Sequence, residues 1–113
     1  MHELAIASSI HDTVMLEVAK RNLEIVAVIG LRIGALTDIV PDALIFGFES
    51  LSKDTLLEFT ELKIKSIPIK GICNTCKKEF DVHEFIFVCP ACYSVEINIF
   101  QGDELEIDFI EAE

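Results

Sequence analysis

The chain has 113 residues, of which 51% are hydrophobic, and 9 basic against 20 acidic side chains give a formal charge of −11. That length is one domain's worth of chain with room for a small metal-stapled appendage, and that hydrophobic share excludes disorder. An acidic surface repels phosphate backbones, which argues against nucleic acid as a partner, and the longest apolar runs, such as 25–30 and 85–88, are too short to span a membrane. A partner with a basic face, or a cationic cargo, fits the charge better.

Residues 3 to about 21 read as a helix, because Ile6, Ile10, Val14 and Val18 recur every four residues while Glu17, Lys20 and Arg21 fall toward solvent. Asn22 is a plausible stop. A strand is predicted over 24–35; its N-terminal half is apolar on both faces, which suits the middle of a sheet. Gly30 and Gly34 within it allow a bend or a close backbone approach. Pro41 opens a second helix, with Asp42 near its positive end and Leu44, Ile45, Phe48 and Leu51 as its apolar stripe. Ser52-Lys53-Asp54 ends it. Residues 56–69 read mainly as strand, with a bulge near Ser66 and Pro68 closing off regular pairing. The strand–helix–strand run from 24 to 69 should be a right-handed crossover between parallel strands.

Lys70-Gly71 opens a module running to about Gly102, in which 85–88 and 95–99 are predicted as short antiparallel strands. Gln101-Gly102-Asp103 is a turn. Leu105, Ile107 and Phe109 then alternate with Glu104, Glu106 and Asp108 in a last strand. That strand has nothing to pair with inside so small a module, so it is expected to return to the sheet of the first half.

The module holds every cysteine of the chain, as two tight pairs: Cys73-Asn74-Thr75-Cys76 and Cys89-Pro90-Ala91-Cys92, twelve residues apart. A C-x2-C turn lets two thiolates reach one ion, and two such turns complete a tetrahedral four-sulfur site. No signal peptide precedes the pairs, so a cytoplasmic location and reduced thiols are expected, against two disulfides. A redox C-x-x-C needs one pair at the start of a helix, which does not fit. Zinc is the expected ion, with iron the remaining alternative, since four sulfurs suit both. Four sulfurs leave no open position for water, so the role is structural. The expected fold is α/β (α+β): two helices on a three-stranded mixed sheet, with an inserted zinc-ribbon module. Residues 1–70 plus 103–113 form the larger domain and 71–102 the module.

The second candidate site is the start of the chain, Met1-His2-Glu3. A free α-amine, the amide nitrogen between residues 1 and 2, and the His2 imidazole can wrap one cation in fused chelate rings, and Glu3 adds a backbone amide or a carboxylate. Planar nitrogen and oxygen ligation favours Ni(II) or Cu(II) over zinc, calcium or magnesium. On the residues alone, this end is either an idle terminus or such a chelate.

Met1-His2-Glu3 running into a helix, followed by C-x2-C-x12-C-x2-C and the closing Gln101-Gly102-Asp103-Glu104-Leu105-Glu106-Ile107, resembles the HypA/HybF nickel metallochaperones over essentially the whole chain. The resemblance implies a non-enzymatic protein that helps insert nickel into [NiFe]-hydrogenase and, in some bacteria, supplies urease. It implies His2 as the ligand of Ni(II), a transient cargo, with the Met1 amine and Glu3 assisting. Cys73, Cys76, Cys89 and Cys92 would then bind structural Zn(II). A HypB-type nickel GTPase and the hydrogenase large-subunit precursor are the implied partners. Oligomeric state stays open, a homodimer included.

His11 reads as a solvated or rim residue of the first helix, with only Ala7 and Met15 four residues away. His83, between the cysteine pairs, is either a loop residue or a further metal donor. The acidic end from Glu104 to Glu113 reads as a solvated strand face. No phosphate loop, G-x-S-x-G or catalytic dyad is present. The reading from another class is a zinc-ribbon interaction adaptor with an inert N-terminus; a rubredoxin-like electron carrier comes third.

Overall fold

The structure is a computed structural model and describes residues 2–113. Its elements run α1 (Glu3–Arg21), β1 (Val26–Gly34), a 3-10 turn (Ala35–Thr37), α2 (Pro41–Ser52), β2 (Glu61–Ile67), β3 (Ile69–Cys73), β4 (Glu79–Val82), β5 (Ile97–Gln101) and β6 (Leu105–Ala112). The strands form two sheets of three, ordered β2-β1-β6 and β4-β3-β5. The chain divides into two compact units: Met1–Arg32, Ile39–Lys65 and Glu106–Glu113 in the first, Ile33–Asp38 and Ser66–Leu105 in the second.

In the first unit α1 buries the stripe Ala7, Ile10, Val14 and Val18. It ends where Asn22 turns left-handed (φ 52°), with the Asn22 and Leu23 amides both donating to the Val18 carbonyl. This is a C-terminal cap that asparagine, like glycine, accepts at low cost. Pro41 starts α2 with its fixed φ and its missing N–H, where no helical hydrogen bond is lost. α1 packs on α2. At Gly47 the helices face each other at a spacing that would accommodate a methyl group, with Leu4 Cδ1 3.5 Å and Ala7 Cβ 3.6 Å from the place of a Cβ. Phe48, Leu44, Ile29, Leu31 and Leu57 are the largest fully buried side chains of this unit. Each contributes about 1.5–3 kcal/mol by leaving water.

β1 is central in the mixed sheet, as its apolar sequence predicts. β6 runs antiparallel to it: Ile25 and Glu113 exchange hydrogen bonds at one end, and the Gly34 amide donates to the Glu104 carbonyl at the other. Both glycines of β1 serve close approach. The Phe109 ring occupies the place of a Gly30 side chain, and the Gly102 backbone occupies that of Gly34.

In the second unit β3 is the middle strand, antiparallel to β4 (Ile69 opposite Val82, Ile72 opposite Glu79) and to β5 (Gly71 opposite Ile99, Cys73 opposite Ile97). A register shift between Lys70 and Gly71 marks a bulge. Gly102 takes φ 118°, a conformation that favours glycine, and lies against Ile69.

Four local expectations are corrected. Residues 56–59, expected as strand, continue the turns that follow α2, and the strand begins only at Glu61. The Thr55 hydroxyl donates to the Ser52 carbonyl at 2.6 Å, and the amides of Thr55, Glu58 and Thr60 donate to carbonyls three residues back, which winds the segment. Residues 85–88 are not a strand either, because Glu84 and Phe85 have φ 55° and 58°, and the Ile86 amide closes a turn on the His83 carbonyl. The strand beside the cysteines is β4 instead. Along α2 the buried positions are Leu44, Gly47, Phe48 and Ser52, while Leu51 is exposed; a glycine and a serine lie where the stripe placed leucine. Finally, β1 begins at Val26, and Ile25 and Ala27 are exposed, so its first residues bury only one face.

Candidate metal centre

The two C-x2-C segments fold as copies of one turn. In the first, the Cys73 amide donates to the Lys78 carbonyl at 2.9 Å and the Lys77 amide donates to the Cys73 carbonyl at 2.8 Å. In the second, the Cys89 amide donates to the Ser94 carbonyl and the Tyr93 amide to the Cys89 carbonyl, both at 2.9 Å. The residue after each second cysteine is left-handed: Lys77 at φ 66° and Tyr93 at φ 63°. Neither is a glycine, so the turn is held by its surroundings rather than by residue preference.

Polar side chains brace the pair. Thr75 Oγ1 lies 3.0 Å from Ser94 Oγ, and Asn98 Nδ2 donates to Asn74 Oδ1 at 2.9 Å. The Asn74 amide donates to the Glu96 carbonyl. Spacing reasoning missed these braces; the signal available was the same residue spacing in Cys73-Asn74-Thr75-Cys76-Lys77-Lys78 and Cys89-Pro90-Ala91-Cys92-Tyr93-Ser94.

These turns bring all four sulfurs within 4.8 Å of one another. Cys73 Sγ and Cys92 Sγ are 3.5 Å apart, as are Cys76 Sγ and Cys89 Sγ, so each short contact joins one turn to the other. All four are free thiols rather than disulfides. A tetrahedron with metal–sulfur bonds of about 2.3 Å has edges of about 3.8 Å, so this cluster fits an ion of zinc's size. Cys73 and Cys89 are buried; Cys76 and Cys92 are exposed.

The thiols differ electrostatically. The Cys76 amide pointing at Cys73 Sγ, opposed by burial, lowers the Cys73 pKa to about 6. The Cys92 amide lowers that of Cys89 in the same way. Cys92 goes the other way: the Ser94 amide lowers it, but burial and the three neighbouring sulfurs together push it up to about 12. Four thiolates this close need a cation, and binding one releases the protons that remain.

The other candidates lie apart from this cluster. His2 is exposed and is the N-cap of α1, with its backbone carbonyl accepting from the Ile6 amide at 3.2 Å and no side-chain capping bond. Its imidazole is therefore not spent on the helix end. The Glu3 carboxylate accepts a hydrogen bond from the Val40 amide. That contact lowers the Glu3 pKa below the usual carboxylate value. Met1, whose amine completes the expected chelate, lies outside the described residues. His83 is an exposed turn residue. His11 is half-buried, with Nε2 3.4 Å from Thr55 Oγ1 and its ring 6.0 Å from that of Phe48, so it packs at the α1–α2 seam. The acidic β6 carries exposed Glu106, Asp108 and Glu111, with Glu106 accepting from Arg32 at 3.0 Å.

Fold and site together define a metal-binding protein of two units: helices on a mixed sheet, and a small sheet bearing a four-sulfur centre. The sequence matches the family described as "Hydrogenase/urease nickel incorporation, metallochaperone, hypA" over residues 1–112. It is 36% identical over 113 residues to the hydrogenase maturation factor HypA of Desulfitobacterium hafniense (strain DSM 10664 / DCB-2), covering 100% of this chain and 99% of that one. To the HypA of Geobacter metallireducens it is 37% identical, with 100% of both chains covered. The fold is shared with the solution structure of the Ni metallochaperone HypA from Helicobacter pylori: TM-score 0.68, 22% identity, 99% of this chain and 97% of that one. A second HypA solution structure gives a TM-score of 0.73 at 21% identity, covering 100% and 97%. The chain belongs to the HypA family of hydrogenase/urease nickel-incorporation metallochaperones, which is non-catalytic.

Proposed function

We propose that this chain carries Ni(II) as cargo on its first residues and holds Zn(II) permanently in the four-cysteine centre. The zinc ligands are Cys73, Cys76, Cys89 and Cys92. The nickel ligands are the Met1 amine, the following amide nitrogen and the His2 imidazole, with Glu3 assisting. The nickel-binding part comprises residues 1–70 plus 103–113, with the zinc module 71–102 inserted in it. The receiving partners are a HypB-type nickel GTPase and the hydrogenase large-subunit precursor, in the cytoplasm, with urease as a further client.

The observation that carries the nickel site is the exposed His2 imidazole, free of any capping bond, at the very start of α1. A carrier must hold its ion yet give it up. The N-terminus of a helix bears a partial positive charge that disfavours a cation. Glu3 tethers the start of α2 beside that of α1, so two such helix ends meet here and the Glu3 carboxylate offsets them. A nickel ion there is exposed and loosely favoured, which suits transfer. The zinc centre, with four sulfurs and no open position, suits permanence.

Isothermal titration of zinc-loaded protein with Ni(II), using an unblocked N-terminus, tests the reading. One nickel per chain is expected, lost in His2→Ala and lost again when a few residues are added before Met1, with zinc content unchanged in both. A tagged protein that binds nickel as tightly as the untagged one overturns the amine chelate and moves the site to His83 or His11. Zinc alone, with no nickel bound, supports an adaptor with an inert terminus instead.

A further inference from the structure

The sheet of the first unit has two outer strands, β2 and β6, each paired on one side only among the described residues. Each therefore turns a row of unpaired amides and carbonyls outward. The two edges differ in sign. β2, Glu61-Leu62-Lys63-Ile64-Lys65-Ser66-Ile67, exposes Lys63 and Lys65 and one carboxylate, Glu61. β6 exposes Glu106, Asp108 and Glu111 and contains no lysine or arginine. Arg32 of β1 compensates Glu106 at 3.0 Å, whereas Asp108 and Glu111 make no ion pair among the described residues. Charge of either sign keeps an edge from aggregating, so protection alone does not call for one basic edge and one acidic edge.

Shape differs in the same sense. Beside β6 the end of α1 leaves a groove of about 410 Å³, lined by Arg21, Leu23, Ile107, Phe109 and Ile110 among others. Two residues before β2, Phe59 is 91% exposed, so its ring adds almost nothing to the buried core.

Strand direction brings these features together. β6 runs antiparallel to β1, so in a mixed sheet β2 runs parallel to β1. A second copy set beside the first in the same orientation lays its β2, seven residues long, antiparallel to β6, eight residues long. Its Lys63 and Lys65 then run along Asp108 and Glu111, and its Phe59 arrives at the last residues of β6, where the groove lies. The charges at that end are mixed, with Glu17, Glu24 and Glu113 beside Lys20 and Arg21, so the attraction comes from the middle of the strands. Pairing β6 with β6, or β2 with β2, sets like charges opposite each other. The net charge of −11 on each copy opposes any self-association, so the contact is expected to be weak.

We propose that this protein associates with a second copy of itself edge to edge, β2 of one copy pairing antiparallel with β6 of the next and Phe59 filling the groove beside it. The contact uses different surfaces on the two copies, so it is head-to-tail and leaves one free edge of each kind at the ends.

Sedimentation equilibrium of untagged, zinc-loaded protein tests this up to about 1 mM, where a contact with a Kd of that order is substantially formed. The average mass of the parent should rise above that of one chain. Phe59→Ser should weaken the association about tenfold. The double variant Lys63→Glu, Lys65→Glu has two acidic edges, and Asp108→Lys, Glu111→Lys has two basic ones. Each should stay monomeric alone, and an equimolar mixture of the two should associate again. All these substitutions fall on exposed side chains, so zinc content and circular dichroism should match the parent. A parent that stays monomeric over the whole range overturns the proposal. Association that survives Phe59→Ser and both double variants unchanged overturns it too, and places the contact elsewhere. So does a mixture of the two folded double variants that remains monomeric.

Discussion

Glu3 reaches across from α1 to α2 and accepts the amide hydrogen of Val40 at 3.1 Å. Val40 is the N-cap of α2 and makes no side-chain cap of its own, and its own amide is satisfied by a side chain of another helix. The residue next to His2 thus ties the start of α2, which Pro41 sets, to that of α1. A helix-start glutamate would ordinarily be read as favouring its own dipole; here it also tethers a neighbour.

This contact has a pH signature. The Val40 amide favours the charged form of Glu3, so its folded pKa lies below the ordinary value. Its stabilisation is therefore fully present above that ordinary value and is lost as pH falls through the lowered one. Thermal midpoints of the parent and Glu3→Gln, compared from neutral to acid pH, should differ at neutral pH and converge in acid. A gap that persists unchanged into acid would show that the carboxylate charge is not what Val40 senses.

Removing a cysteine should unfold one unit and spare the other. The unit that carries the cysteines, Ile33–Asp38 and Ser66–Leu105, has short strands and few buried apolar side chains, and structural zinc in small domains supplies about 10–16 kcal/mol of apparent binding free energy at neutral pH. Cys76→Ala is expected to lose zinc and to collapse amide dispersion for those residues, while signals from α1 and α2 stay in place. A native NMR spectrum from zinc-free protein would refute the dependence.

The two strand glycines should behave differently when a methyl group is added. Gly34 has φ −75°, a conformation alanine adopts freely, so only space forbids the change. The space is filled by the backbone of Gly102, which has no side-chain freedom to yield. At Gly30 the obstacle is the ring of Phe109, itself 41% exposed and able to swing outward. Gly30→Ala should cost about 1–3 kcal/mol in denaturant titrations, and much of that should return with Phe109→Leu. Gly34→Ala should cost more, with no such rescue. Equal losses at the two positions would contradict the geometry.

Periodic segments were legible in the sequence. α1 shows in the spacing of Ile10, Val14 and Val18, and the central place of β1 shows in its apolar run. The cysteine cluster was legible because C-x2-C spacing leaves few geometries for four sulfurs. Where apolar runs met turn chemistry, they misled. Phe85-Ile86-Phe87-Val88 has the composition of a strand, yet two successive left-handed residues turn it away from pairing. Leu56 and Leu57 sit in wound turns because the Thr55 hydroxyl caps the Ser52 carbonyl, a local bond that hydrophobic alternation does not reveal. The Glu3–Val40 contact joins residues 37 apart and leaves no trace in the spacing of either helix.

The division of the four thiols into two buried and two exposed has a consequence for how fast a bound ion can be lost. Cys76 and Cys92 are the second cysteines of their turns, so each turn contributes one inner and one outer sulfur. An incoming chelator or oxidant meets only the outer pair and must detach or modify those two before it reaches Cys73 and Cys89. Loss of the ion is then a stepwise process whose rate rises with the concentration of the attacking reagent, long before the centre becomes thermodynamically weak.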